Sequence, residues 1–150
     1  MLGTVCHSAA EDALGSVIDV AEGLHDGAVP MSLEDTKAAF TYYWENAIPT
    51  VQVWNNYNPE SALAAGLDKV TNWYNEIFPQ VMPVEVEYTF NVPLIEDDER
   101  IVRLTGTVDL VEKDRLWDWK FPSRDYTRDR WQYERWDVQS IAYCYAMGIP

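Results

Sequence analysis

A chain of 150 residues with 47% hydrophobic and 13% aromatic content is long enough to fold as one domain, burying about 68–70% of its unfolded surface. A net charge of −14 excludes a uniformly basic phosphate-binding protein, yet the charge is divided: residues 1–99 carry only Lys37 and Lys69 against 17 acids, whereas residues 100–150 carry nine bases against eight acids. No apolar run approaches about 18 residues, and no basic segment precedes an apolar core at the start, so the chain reads as cytoplasmic, with neither membrane span nor signal peptide.

In chain order, Leu2, Val5, Cys6, Ala9, Ala13, Val17 and Val20 recur at three- and four-residue steps and predict an amphipathic first helix ending near Gly23 to Gly27. His7 lies on its flank, one turn before Glu11. Ser32 followed by Asp35 has the form of a capping box and opens a second helix through about Ala47, closed by Pro49. Asn58 caps a third helix, with Pro59 at its first position, that runs to Pro79. The aromatics Phe40, Tyr42, Tyr43 and Trp44 read as core, and no glycine-rich phosphate loop accompanies these helices, so nucleotide hydrolysis of the P-loop kind has no support. Cys6 and Cys144 fit neither a CxxC metal site nor a disulfide framework and read as two buried thiols.

From Val84 the period changes to two, which predicts a first strand through Val92. IEDDER turns it into a second strand holding Val102 to Leu110, and KDR turns that into a third over Leu116 to Phe121, an antiparallel meander. Val102, Leu104, Val108 and Leu110 share a core face; Arg103, Thr105, Thr107 and Asp109 share the other. Asp118 and Lys120 project together, opposite Trp117, Trp119 and Phe121. Whether Glu112 pairs with Arg115 or residues 112–115 all form the loop, Asp109 faces Asp118. Like charges roughly 4.5–5.5 Å apart repel unless neutralised, so the pair is either solvated and softened by Lys120 or bridged by a divalent cation. If Glu85 and Glu87 share that face, four carboxylates gather there.

The segment SRDYTRDRWQYERW interleaves Arg124, Arg128, Arg130 and Arg135 with Tyr126, Trp131, Tyr133 and Trp136. Arginines contact phosphate and aromatics stack on unpaired bases, so it reads either as a strand-binding surface or as a connector whose charges nearly cancel. A closing helix puts Gln139 and Tyr143 four residues apart on one face, before Gly148 and Pro150.

Together, Gly106 to Asp109 (G-x-V-D), Asp118 to Lys120 (D-W-K), Gln139 to Tyr143 (Q-S-I-A-Y), the opening L-G-T-V-C-H and E-Y-T-F-N-V-P-L resemble the RecB-like branch of the PD-(D/E)XK nucleases, among them phage and CRISPR-associated exonuclease-like domains. The resemblance implies an α/β restriction-endonuclease-like core: the meander in a mixed sheet, flanked by the first helix and the Gln139 helix, with residues 32–79 as a helical insert or lobe in a single domain over 1–150. It implies that Asp109 and Asp118 bind Mg²⁺ or Mn²⁺ with the Trp119 carbonyl and His7. Lys120 would orient the attacking water, Glu87 would support the site or a second ion, and Gln139 and Tyr143 would hold its edge and contact DNA. Phosphodiester hydrolysis needs a hard cation and a positive group at the transition state, and two carboxylates with one lysine supply those parts.

The implied function is metal-dependent DNA cleavage, from an end rather than at a sequence, in repair, recombination or phage DNA processing. A helicase or recombination partner, or a second copy, would supply the missing basic surface. Cys6 and Cys144 do not match the four-cysteine iron–sulfur pattern of some relatives, so no cluster is expected. Phe121 and Pro122 follow the lysine where the family carries Thr and Gly. The chain starts near the histidine motif and stops after the Gln–Tyr helix, and so reads as a minimal form or as a fragment truncated at both ends. Two alternatives stand: a nuclease-fold domain that binds without cutting, and an unrelated acidic, aromatic-rich interaction module.

Overall fold

Small residues on two sides of the first helix decide how the chain is layered. In the computed structural model, which describes residues 1–24, 26–51, 58–121 and 138–148, helix α1 spans Leu2–Ala21. Its Val5, Cys6 and Ala9 are buried with Phe40 and Trp44 of α2 (Leu33–Ala47) and Ala62 and Val70 of α3 (Pro59–Glu76). Its Ala10, Ala13 and Leu14 are buried with Trp73, Leu110 and Trp119. Alanine favours the helix and its lone methyl group lets neighbours approach, so α1 can be covered by helices along one stripe and by the sheet along another. It ends in a Schellman motif, with the Gly23 N–H on the Val20 carbonyl at 3.2 Å and the Leu24 N–H on the Asp19 carbonyl at 3.0 Å.

The predicted caps are present. Ser32 Oγ accepts the Asp35 N–H at 3.2 Å while Asp35 Oδ2 accepts the Ser32 N–H at 3.0 Å, which starts α2. Asn58 Oδ1 accepts the Ser61 N–H at 2.8 Å, and Pro59 stands at the first position of α3. Short 3₁₀ turns, Ile48–Thr50 and Phe78–Gln80, follow α2 and α3. Two tyrosines tie this helical layer together: Tyr43 donates to Asp12 Oδ2 at 2.9 Å and Tyr74 to the Met31 carbonyl at 2.8 Å.

Helix α3 approaches Phe40 and Leu2 closely at Gly66. A Cβ there would overlap the Phe40 ring and lie 2.8 Å from a Leu2 methyl group, below any normal contact. Gly66→Ala gains about 1 kcal/mol of helix propensity, but forcing apart a ring that is fully buried costs roughly 1–3 kcal/mol beyond that. The expected result is a thermal midpoint lowered by roughly 2–8 °C, read by circular dichroism; a higher midpoint would show that Phe40 yields freely.

Among the described residues the sheet has three antiparallel strands in the order β1 (Glu85–Glu96), β2 (Ile101–Val111), β3 (Leu116–Trp117), and α4 (Val138–Met147) packs on β1 and β2. Asp97 turns the first hairpin, its Oδ1 accepting the N–H groups of Glu99 at 3.1 Å and Arg100 at 3.0 Å. Leu94 is skipped in the register, a bulge between Pro93 and Ile95.

Three expectations are corrected here. The third strand stops at Trp117 instead of reaching Phe121, because the Trp119 N–H is taken by the Asp109 carboxylate at 2.7 Å and leaves the ladder. Val102 is not a core residue: every residue from Pro93 to Arg103 is exposed, since the hairpin outruns the helices that cover Val108 and Leu110. Only one thiol is fully buried. Burial pushes Cys6 up to about 12 against the opposing charge of Lys69, whereas Cys144 is half-buried because Tyr143 is the α4 residue that reaches the core.

Glu112, read as a turn residue, is buried. It accepts the indole N–H of Trp117 at 2.7 Å, the Met82 N–H and the Arg115 guanidinium at 3.1 Å, and so ties the approach to β1 to the β2–β3 turn.

Candidate metal centre and active site

Strand register brings the first two acids together. Val86 pairs with Leu110 and Tyr88 with Val108, which sets Glu87 opposite Asp109. Glu87 departs from the extended backbone, with φ +53, a left-handed conformation that is uncommon for a residue with a side chain and concentrates at functional sites. Helix α1 crosses here and supplies His7, whose Nδ1 is 3.6 Å from Asp109 Oδ1. His7, Glu87 and Asp109 each present a ligand atom, all within 4.8 Å of one another. The Phe121 ring meets the imidazole edge-on, centroids 5.2 Å apart, and fixes its orientation. The Phe-Pro departure from the family's pattern thus has a local role at Phe121; Pro122 lies outside the described residues.

The electrostatics of this trio are those of uncompensated negative charge. Burial raises the Asp109 carboxyl above the ordinary aspartate range; His7, the Trp119 N–H and Lys120 pull it back, while Asp118 adds to the rise. Burial also raises Glu87, followed by the charges of Asp109 and Glu11. Glu11 is a neighbour that sequence reasoning did not single out, although its place one turn after His7 was the available signal. Glu85, by contrast, is exposed and stands apart from the trio.

Beside the trio lies a second group built on β3 and α4. Lys120 Nζ is 2.5 Å from Asp118 Oδ2 and donates to Gln139 Oε1 at 3.3 Å. Gln139 Nε2 donates to Asp118 Oδ1 at 3.0 Å and to the Tyr143 hydroxyl oxygen. Tyr143 donates to the Thr107 carbonyl at 2.7 Å, which anchors α4 to β2. Its ring meets Phe90 edge-on at 5.9 Å, and Phe90 lies over Gly106, where a Cβ would come within 2.6 Å of the Phe90 ring. Gly106 is therefore the residue that lets Phe90 lie flat and seat Tyr143. Burial alone would depress Lys120, but its hydrogen bond to Asp118 and the charges of Asp118 and Asp109 hold it above the ordinary lysine value.

The structure thus gathers His7, Glu87, Asp109, Asp118, Lys120, Gln139 and Tyr143, with Trp119 contributing its N–H to Asp109. Arg124, Arg128, Arg130 and Trp131 lie outside the described residues. Two carboxylates and an imidazole form a donor set that suits a hard or borderline divalent cation, and their mutual repulsion is what such a cation offsets.

A model of the PD-(D/E)XK nuclease superfamily matches residues 1–148. The chain belongs to this superfamily. The superfamily is one of nucleic-acid hydrolases that use divalent metals, and the alternative of an unrelated interaction module falls away. No curated protein and no solved structure shows significant similarity to it. Among the described residues of this nuclease, no helix is long and apolar enough to cross a membrane.

Proposed function

We propose that this PD-(D/E)XK nuclease is an Mg²⁺- or Mn²⁺-dependent deoxyribonuclease of the RecB-like branch that degrades DNA from ends. The observation that carries the reading is the convergence of His7 from α1, Glu87 from β1 and Asp109 from β2 beside the Asp118–Lys120 pair. In this reading His7, Glu87 and Asp109 hold the cation, with Asp118 and the Trp119 carbonyl as further donors. A divalent cation supplies Lewis acidity, making water nucleophilic at neutral pH and polarising the phosphoryl oxygen.

The chain's own groups do the rest. Lys120 stays protonated through the neutral range and stabilises the charge that builds on the phosphate. Gln139 donates to Asp118 and also to the Tyr143 hydroxyl, which Thr107 holds in place, so the lysine and the carboxylate keep one geometry. For Arg124, Arg128, Arg130 and Trp131 the reading rests on residue type alone, arginines as partners of phosphates and tryptophan as a stacking partner of bases. The strongly acidic first 99 residues weaken association with long DNA, so a helicase, a recombination protein or a second copy supplies further basic surface in the cytoplasm of a prokaryotic or infected cell.

The test is degradation of end-labelled linear and closed circular DNA with Mg²⁺, Mn²⁺ or EDTA. Loss of linear DNA alone, only with metal, is the expected result. Nicking of the circle would replace the exonuclease with an endonuclease. Mn²⁺ binding without turnover would establish a non-cleaving domain with a nuclease fold.

A further inference from the structure

The candidate active site opens on its α3 side into a cleft of ≈ 390 Å³ that the proposed mechanism does not use. Asp118, Lys120 and Phe121 line it from one side, Lys69, Asn72 and Trp73 from α3, and Trp117 and Trp119 from the end of the sheet. Its volume falls at the lower end of the roughly 300–1,000 Å³ of small-molecule sites, the scale of a nucleotide and far below that of a double helix.

Two features select what enters. The first is Lys69. Lys37, the other lysine of residues 1–99, is paired with Glu34 at 3.0 Å, whereas Lys69 is half-buried and has no ion-pair partner among the described residues. The acids that line the cleft do not take it: Asp118 is held by Lys120, and Glu76 forms no ion pair with Lys69 among the described residues. An uncompensated cation in the most acidic part of the chain is a binding group for an anion. The second is Trp117. Its indole N–H is held by the buried Glu112 at 2.7 Å, and its ring lies 5.9 Å from that of Trp119 with 32° between their planes. The ring is therefore set before anything binds, so a flat partner stacks on it with little loss of freedom.

We propose that the cleft seats an unpaired nucleotide of the strand being cut, with its phosphate on Lys69 and its base against Trp117. The inference rests on the nuclease reading and adds to it a substrate class, single-stranded DNA or a frayed end, and two positioning residues outside the metal centre. Duplex DNA must open by at least one pair before its strand enters.

The experiment uses the full chain with Mn²⁺ and a short end-labelled single strand, compared with a blunt duplex of the same sequence. Lys69→Gln is expected to raise KM about tenfold with kcat within twofold, and to flatten the salt dependence of log kcat/KM by about 0.7, one phosphate contact on a single strand. Trp117→Leu is expected to raise KM about tenfold while Trp117→Phe stays near the parent, since either aromatic ring can stack. Lys37→Gln changes nothing. Strand binding in EDTA, followed by fluorescence anisotropy, moves in the same ratios, and an unaltered thermal midpoint for Lys69→Gln separates the effect from misfolding. Cleavage or strand binding indifferent to Lys69, or a blunt duplex preferred to the single strand, overturns this inference alone. A parent chain that neither cleaves nor binds DNA removes the nuclease reading and this inference with it.

Discussion

Asp109→Asn is expected to lower DNA cleavage by about 1,000-fold or more and to abolish the rise in thermal midpoint expected of the native chain with Mn²⁺. The carboxylate is shared by three interactions: Oδ2 accepts the Trp119 N–H, Oδ1 faces His7, and Glu87 stands opposite on β1. Asparagine keeps an oxygen for the Trp119 N–H, so the bend after β3 survives. What is lost is the negative charge on which the proposed cation site depends, and metal assistance is worth several kcal/mol at the transition state, about tenfold for each 1.4 kcal/mol.

Stability without metal moves the opposite way. The Asp109 pKa is raised on folding, chiefly by burial, so the folded chain holds that proton more tightly than the unfolded one. Its contribution is therefore fully present below the ordinary aspartate range and is lost as pH rises through the raised value. At neutral pH the charge costs stability, and the neutral amide removes that cost. The metal-free Asp109→Asn chain should melt slightly higher than the native one, without the Mn²⁺ response. Cleavage within tenfold of native, together with an intact Mn²⁺ shift, would show that the cation is held elsewhere.

Lys120→Met is expected to lower kcat by roughly 100- to 1,000-fold, the range for removing one positioned charge at a developing oxyanion, while Mn²⁺ binding is kept. The two variants thus separate. In the proposed reading Asp109 acts through the cation, whereas Lys120 acts on the phosphate and is tied to the carboxylates through Asp118, 2.5 Å away. Removing the ammonium leaves Asp118 with Gln139 and Tyr143 and makes the site more negative, so Mn²⁺ affinity should hold or rise. Single-turnover cleavage with parallel Mn²⁺ titration measures both quantities. Unchanged kcat would assign the phosphate charge to another group, with the arginines between residues 124 and 135 next in line. Loss of Mn²⁺ binding would make Lys120 part of the support for the metal centre.

Much of this architecture could be read along the chain because it is local. The Ser32–Asp35 box and the Asn58–Pro59 start depend on a few adjacent residues, and both stand as read. The meander follows from period two and two polar turns, and its register carries Asp109 toward Asp118, since Leu110 pairs with Trp117. The Gln139–Tyr143 spacing needed only a helix, and both side chains reach Asp118.

Other features had no local signal. By periodicity Glu87 is one more residue of an alternating strand, and only the family resemblance assigned it to the site; its left-handed backbone and its approach to His7 appear only when α1 lies across the sheet. The early end of β3 follows from the Asp109 carboxylate competing with the ladder for the Trp119 N–H, a contest between residues ten apart. Glu112 belongs to a turn by its neighbours and is buried by Trp117 and the Met82 backbone. The exposure of Val102 depends on how far the hairpin extends past its covering helices.

The sequence by itself thus determined the elements, the register between β2 and β3 and the kinds of chemical group the site would hold, because caps, periodicity and turn chemistry are short-range. Only the tertiary structure decided which of those groups meet: it joined His7 and Glu87 to Asp109, tied Asp118 to Lys120, Gln139 and Tyr143, and opened the Lys69 cleft beside them. The reason is physical. Distances of a few ångström between residues about 80 to 100 apart in sequence are set by the packing of α1 and α3 against the sheet, and that packing has no signature in any single segment.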